Sequence, residues 1–110
     1  MTHITVASDE VVRLACDLIA IESHKDTPGR EAAIGRFLVD WFRERGIDAE
    51  LSPAPDGRPN VVARIELGGQ GPTLLLNGHL DTVPAGDMEG AFAPRVEDGI
   101  LWGRGACDMM

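Results

Sequence analysis

Apolar positions along this chain recur first at helical spacing and then with a period of two. Val11, Leu14, Ala15 and Leu18 fall on one face of a predicted helix. Ser8 is its expected N-cap, and Asp9 and Glu10 suit the positive end of the helix dipole. A second helix is predicted from near Pro28, where Ile34, Phe37, Leu38, Trp41 and Phe42 form one core-facing stripe. Arg43 and Arg45 lie in its last turn, and Gly46 fits the left-handed position that closes a helix. Two half-exposed strands follow. In the first, Ile47, Ala49 and Leu51 alternate with Asp48, Glu50 and Ser52. In the second, Val61, Ala63, Ile65 and Leu67 alternate with Val62, Arg64 and Glu66. Residues 53–59 are a turn-rich connector, and 21–29 a polar one in which His24 and Lys25 are expected to be solvated.

The run 73–77 is apolar and bounded by glycine-rich turns, so it predicts a short buried strand. Extended geometry continued through Asp81 places His79 and Asp81 on one face and Leu80 on the other. An imidazole and a carboxylate side by side at a strand end suit a metal ligand with an orienting partner. Read alone, most such pairs are polar surface residues in a turn, and spacing by itself favours that reading. A second polar block lies further on. Asp98-Gly99 suits a hairpin turn, and Gly103 and Gly105 allow close backbone turns that present Asp108. Read alone, Asp108 fits a helix N-cap or first turn. Helices and strands in this order give an α/β chain, with the apolar strand implying a sheet covered on both faces. In such sheets, sites form beyond the carboxyl ends of the strands, where His79 and Asp81 stand.

Composition narrows the picture modestly. Net charge is −8, from 18 acidic and 10 basic residues, which disfavours nucleic acid and anionic membrane surfaces as partners. Cys16 and Cys107 do not make a disulfide framework; Cys16 is expected to be a buried small apolar group, and for Cys107, beside Asp108, a packing role is favoured over a place near a metal. No apolar run approaches a membrane span, and Met1 to Thr5 lacks the basic start of a signal peptide, so a cytoplasmic protein is expected. Neither a repeat nor a linker marks a domain boundary.

Gly78-His79-Leu80-Asp81-Thr82-Val83-Pro84, followed by Asp98-Gly99-Ile100-Leu101-Trp102-Gly103-Arg104-Gly105-Ala106-Cys107-Asp108-Met109, resembles two motifs of the zinc-dependent amidohydrolases. That family includes acetylornithine deacetylase, succinyl-diaminopimelate desuccinylase, aminoacylase and glutamate carboxypeptidase. The resemblance covers essentially the whole chain. It implies that residues 1–110 are the amino-terminal portion of an α/β/α zinc-peptidase-like catalytic domain with a mixed, mostly parallel sheet. It also implies that His79 is a terminal ligand of one metal ion and Asp108 a bridge between two. Asp81 is implied as a non-ligating catalytic residue that orients and tunes the site. The implied cofactor is two zinc ions, with cobalt as a substitute. The implied reaction is hydrolysis of an amide bond in N-acyl amino acids or small peptides, and a homodimer is one assembly open to the full-length parent.

The chain departs from the family pattern in two places. The stretch between the motifs is shorter than usual and reads Glu89-Gly90-Ala91-Phe92-Ala93-Pro94. Met110 stands where a lysine is frequent. Family members also run several times longer, with the catalytic Glu, further carboxylate ligands and a last His beyond Asp108. The 110 residues are therefore expected to be a fragment, ending in the helix anticipated after Asp108 and inactive alone. A metal-dependent exopeptidase of the same fold, or a non-catalytic binding or assembly module, is the alternative.

Overall fold

A helix with one apolar stripe packs that stripe on whatever sheet the chain supplies, and here the sheets are small. The computed structural model describes residues 6–110; the leader reading at Met1 to Thr5 lies outside them. The order is α1 (Ser8–Ile19), α2 (Ala32–Glu44), β1 (Asp48–Pro53), β2 (Pro59–Arg64), β3 (Arg95–Glu97) and β4 (Ile100–Trp102). β1 pairs antiparallel with β2, from Asp48 opposite Arg64 to Pro53 opposite Pro59. β3 pairs antiparallel with β4 in a separate two-stranded sheet.

α2 lies against β1 and β2. It buries Ile34, Gly35 and Val39, while Phe37, Leu38, Trp41 and Phe42 are half-buried. The stripe is thus the inward face, shifted by Val39 towards the sheet. Its end follows the sequence closely. Gly46, at φ 73°, donates to the Arg43 carbonyl, and Ile47 donates to that of Phe42. These two bonds satisfy carbonyls that the helix leaves over. The start does not follow. Residues 25–31 form turns and α2 begins at Ala32, four residues after Pro28. Each turn in this loop closes on its own short-range bonds, among them Thr27 N to the His24 carbonyl and Arg30 N to that of Thr27. In α1 the N-cap is Ala7, with no side-chain cap, and Ser8 is the first helical residue.

Glu31 anchors the start of α2 to the sheet. It is buried, and its carboxylate takes a two-point contact from Arg58, with Nε to Oε2 at 3.0 Å and Nη2 on Oε1. The guanidinium hydrogen bond holds the Glu31 pKa below its ordinary 4.5, against the opposing effect of burial. A carboxylate with a lowered folded-state pKa contributes stability fully above its unfolded value and loses it as pH falls through the folded one. Glu31→Gln is therefore expected to cost about 1–3 kcal/mol at neutral pH, the scale of hydrogen bonds to charged groups. Urea unfolding of both proteins checks this. The difference between them should shrink as pH falls below 4.5; a constant difference would place the effect elsewhere.

The largest departure from the sequence reading is the run 73–77. It forms no strand, and Leu74, Leu75 and Leu76 are more than four-fifths exposed. An apolar segment becomes a buried strand only when other strands pair with it and helices cover it. Among the described residues none does either. An open groove of about 660 Å³ lies between β2 and residues 75–81. The mostly parallel sheet is accordingly not formed among the described residues, whose strand pairs are all antiparallel. The radius of gyration, 15.7 Å, exceeds the roughly 13 Å of a compact domain this long. Buried apolar side chains are correspondingly few: Leu18, Ile19, Ile34, Val39, Ala49 and Ala91.

Candidate functional site

Two loops carry the candidate residues to one place. The first is the irregular segment through Gly78 to Thr82. The second is residues 103–108, which follow the β3–β4 hairpin as turns. That hairpin closes as its sequence predicts, with Asp98 at φ 51° and Gly99 at φ 76°. The second loop is then tied down from behind. Arg104 N donates to the Ala91 carbonyl at 2.7 Å, and Arg104 Nη2 to that of Ala85 at 3.0 Å. At Gly103 an added Cβ would meet the fully buried Ile19 side chain at 2.5 Å. Gly105, at φ 90°, lets the chain turn back against Thr82, whose methyl would lie 2.9 Å from a Cβ there. Residues 104–109 are turns, and the Asp108–Met109 peptide is cis.

His79, Asp81 and Asp108 meet although His79 and Asp108 stand 29 positions apart in sequence. His79 Nδ1 donates to the Asp81 carbonyl at 2.9 Å and lies 3.2 Å from Asp81 Oδ1. His79 Nε2 lies 2.8 Å from Asp108 Oδ1. The period-of-two reading is therefore right in its consequence, since the His79 and Asp81 side chains stand together although the segment is not a strand. Both are about half exposed, and Asp108 is largely exposed. Acceptors at both ring nitrogens favour the doubly protonated ring. The Asp108 carboxylate at Nε2 raises the His79 pKa most, and the Asp81 carbonyl at Nδ1 adds to it.

These residues line a cleft of about 360 Å³ together with Thr82, Arg104, Gly105 and Cys107. His79 and Asp81 also border the larger groove beside β2. The smaller cleft is the chemically relevant one, because Asp108 lines it too. No group of three or more His, Cys, Asp or Glu side chains placed to hold a metal occurs among the described residues. The chemistry of the pair nonetheless suits a divalent cation. Nδ1 is engaged by the Asp81 carbonyl, so Nε2 is the nitrogen left to bind, and it lies 2.8 Å from an Asp108 carboxylate oxygen.

Several residues at the site gave no sequence signal or a misleading one. His24 is buried, not solvated. Its ring stacks on Phe92 at 5.5 Å, Nδ1 accepts from Asp26 N at 3.2 Å, and Nε2 lies 3.0 Å from Glu22 Oε1. Lys25 is exposed as expected. Ser23 is fully buried and donates to the Leu80 carbonyl at 2.9 Å. Thr82 is buried with its Oγ1 lacking a hydrogen-bond partner among the described residues. Cys107 is exposed in the turns that follow Gly103, beside Asp108, contrary to the packing role expected of it; Cys16 is partly buried. No helix among the described residues is long and apolar enough to cross a membrane.

Comparison with known proteins agrees with the two motifs. The model of peptidase family M20/M25/M40 matches residues 75–110, which hold both site loops. A protein of Thermococcus kodakarensis named as a LysW-lysine/LysW-ornithine hydrolase is 40% identical over 103 residues, covering 94% of this chain. The succinyl-diaminopimelate desuccinylases of Gluconacetobacter diazotrophicus and Methylobacterium radiotolerans are 43% and 42% identical, covering 96% and 94%. The chain spans only about a quarter of each relative's length: 26%, 28% and 27%. The chain is thus similar to members of peptidase family M20/M25/M40 over the part of their length that it spans.

Proposed function

We propose that this chain supplies the first metal-ligating residues of a metal-dependent amidohydrolase acting on N-acyl amino acids or small peptides. The observation that carries this reading is the placement of His79, with one ring nitrogen held by Asp81 and the other directed at Asp108. His79 and Asp108 would hold the metal, and Asp81 would fix the imidazole from its other nitrogen. Zinc, with cobalt as a working substitute, polarises the scissile carbonyl and acidifies a water nucleophile when bound. Asp81 keeps the proton of neutral His79 on Nδ1 and raises the basicity of Nε2. Asp108 presents a carboxylate from a turn anchored through Gly103 and Arg104, so its position is tied to that of the buried Ile19.

The general base and remaining ligands, in this reading, belong to sequence that the longer relatives carry beyond the region matched here. The same holds for the strands that would convert residues 73–77 into an inner strand of a mixed, mostly parallel sheet. The exposed Leu74, Leu75 and Leu76 and the groove beside β2 support that reading, since both present surfaces a strand can cover.

The test uses the polypeptide at the full length of its relatives, against N-acetyl and N-succinyl amino acids and dipeptides. Hydrolysis is expected to disappear with a chelator and return with zinc or cobalt. Activity indifferent to metal removal overturns the proposal. Cleavage confined to dipeptides identifies an exopeptidase, and metal binding without turnover identifies a binding module.

A further inference from the structure

The site segment 78–82 has no strand neighbours to hold it, yet His79 and Asp81 lie within hydrogen-bonding distance of each other. One polar contact from outside the two motifs reaches the backbone between them. Ser23 Oγ donates to the Leu80 carbonyl at 2.9 Å, across 57 residues of sequence. Ser23 is fully buried, so this hydroxyl has no water to exchange with, and the bond fixes the plane of the Leu80–Asp81 peptide.

Ser23 is itself held on both sides. It follows Ile19, the end of α1, which is buried against the Gly103 backbone. It precedes His24, whose ring is bonded at both nitrogens and stacked on Phe92. His24 N in turn donates to Thr27 Oγ1 at 3.2 Å. The end of α1 and the loop after it thus form a platform that touches the first site loop through Ser23 and underlies the second through Ile19.

We propose that Ser23 is a positioning residue for the metal-ligating segment: by fixing the Leu80 carbonyl, it sets the placement of His79 relative to Asp81 and Asp108. The proposal rests on the reading of His79 and Asp108 as metal ligands, and it is tested in the full-length protein with a readout that does not need the metal. Ser23→Ala removes one buried oxygen and leaves the shape of the site. Ile34→Val, a buried change in α2 away from the site, serves as a control for general loss of stability.

In metal-free protein with isotope-labelled histidine, the His79 ring signals are identified by their loss in His79→Gln. They are expected to shift and broaden in Ser23→Ala and to stay in place in Ile34→Val. Zinc titration by calorimetry should then show affinity about tenfold weaker in Ser23→Ala, the low end for a group acting through another. Coincident His79 signals in wild type and Ser23→Ala overturn the proposal, as does unchanged zinc affinity. Should wild type bind no zinc, the ligand reading fails, and the metal-free spectra still decide the role of Ser23.

Discussion

Replacing His79 with Ala in the full-length protein is expected to abolish turnover and remove one metal site, whereas Asp81→Ala should retain metal while losing much activity. The difference follows from what each side chain touches. His79 contributes the nitrogen that points at Asp108, so its loss deletes a donor atom. Asp81 contributes a carbonyl and a carboxylate oxygen at the opposite nitrogen, 2.9 and 3.2 Å away. The carbonyl survives substitution by Ala, so part of the orientation survives too. Loss of an outer partner of this kind costs on the order of 10–100-fold in metal affinity or activity. Metal content after gel filtration and turnover of each variant discriminate the two. Equal metal loss in both would make Asp81 a ligand and reverse the assignment.

The second large effect concerns the 110 residues expressed alone. They are expected to show no amidase turnover, to bind zinc weakly, and to self-associate. A catalytic zinc site takes about three protein ligands and a structural one about four. The pair His79 and Asp108 falls short of either, and Asp108 is 86% exposed in a turn. Leu74, Leu75 and Leu76 stand exposed together, and β2 offers an unpaired edge beside them. Such surfaces pair with other copies when nothing covers them. Calorimetric zinc titration, an amidase assay and sedimentation of residues 1–110 test this together. Submicromolar zinc binding and measurable turnover by a monodisperse species would show that the essential groups are already present.

Glu31 and Arg58 line the same groove beside β2 that His79 and Asp81 border. The two pairs differ in kind. Glu31 is buried and held ionised by one partner, so its role is to fasten α2 to the sheet. His79 is half exposed between two acceptors, an arrangement that stabilises a positive charge where a ligand can reach it.

The sequence by itself determined those features whose cause lies within a few residues. The end of α2 at Gly46 is written in the helix stripe and a single residue that tolerates positive φ. The β3–β4 turn is written in Asp98-Gly99. The β1–β2 pair was legible only in part: the alternation expected from Val61 to Leu67 ends with β2 at Arg64, and Ile65 and Leu67 stand exposed beyond it, where no layer among the described residues covers them. The two motifs named His79, Asp81 and Asp108, and the family with them. Tertiary structure alone decided what is buried. The run 73–77 has the composition of an inner strand but stays exposed, because burial requires partners that composition cannot supply. His24 reads as a loop residue and is buried, because Phe92, 68 positions on, covers it. Ser23 reaches Leu80 only once α1 has been placed under the site, which no local spacing records. Backbone conformation answers to near neighbours in sequence, whereas burial and the meeting of polar groups answer to neighbours in space.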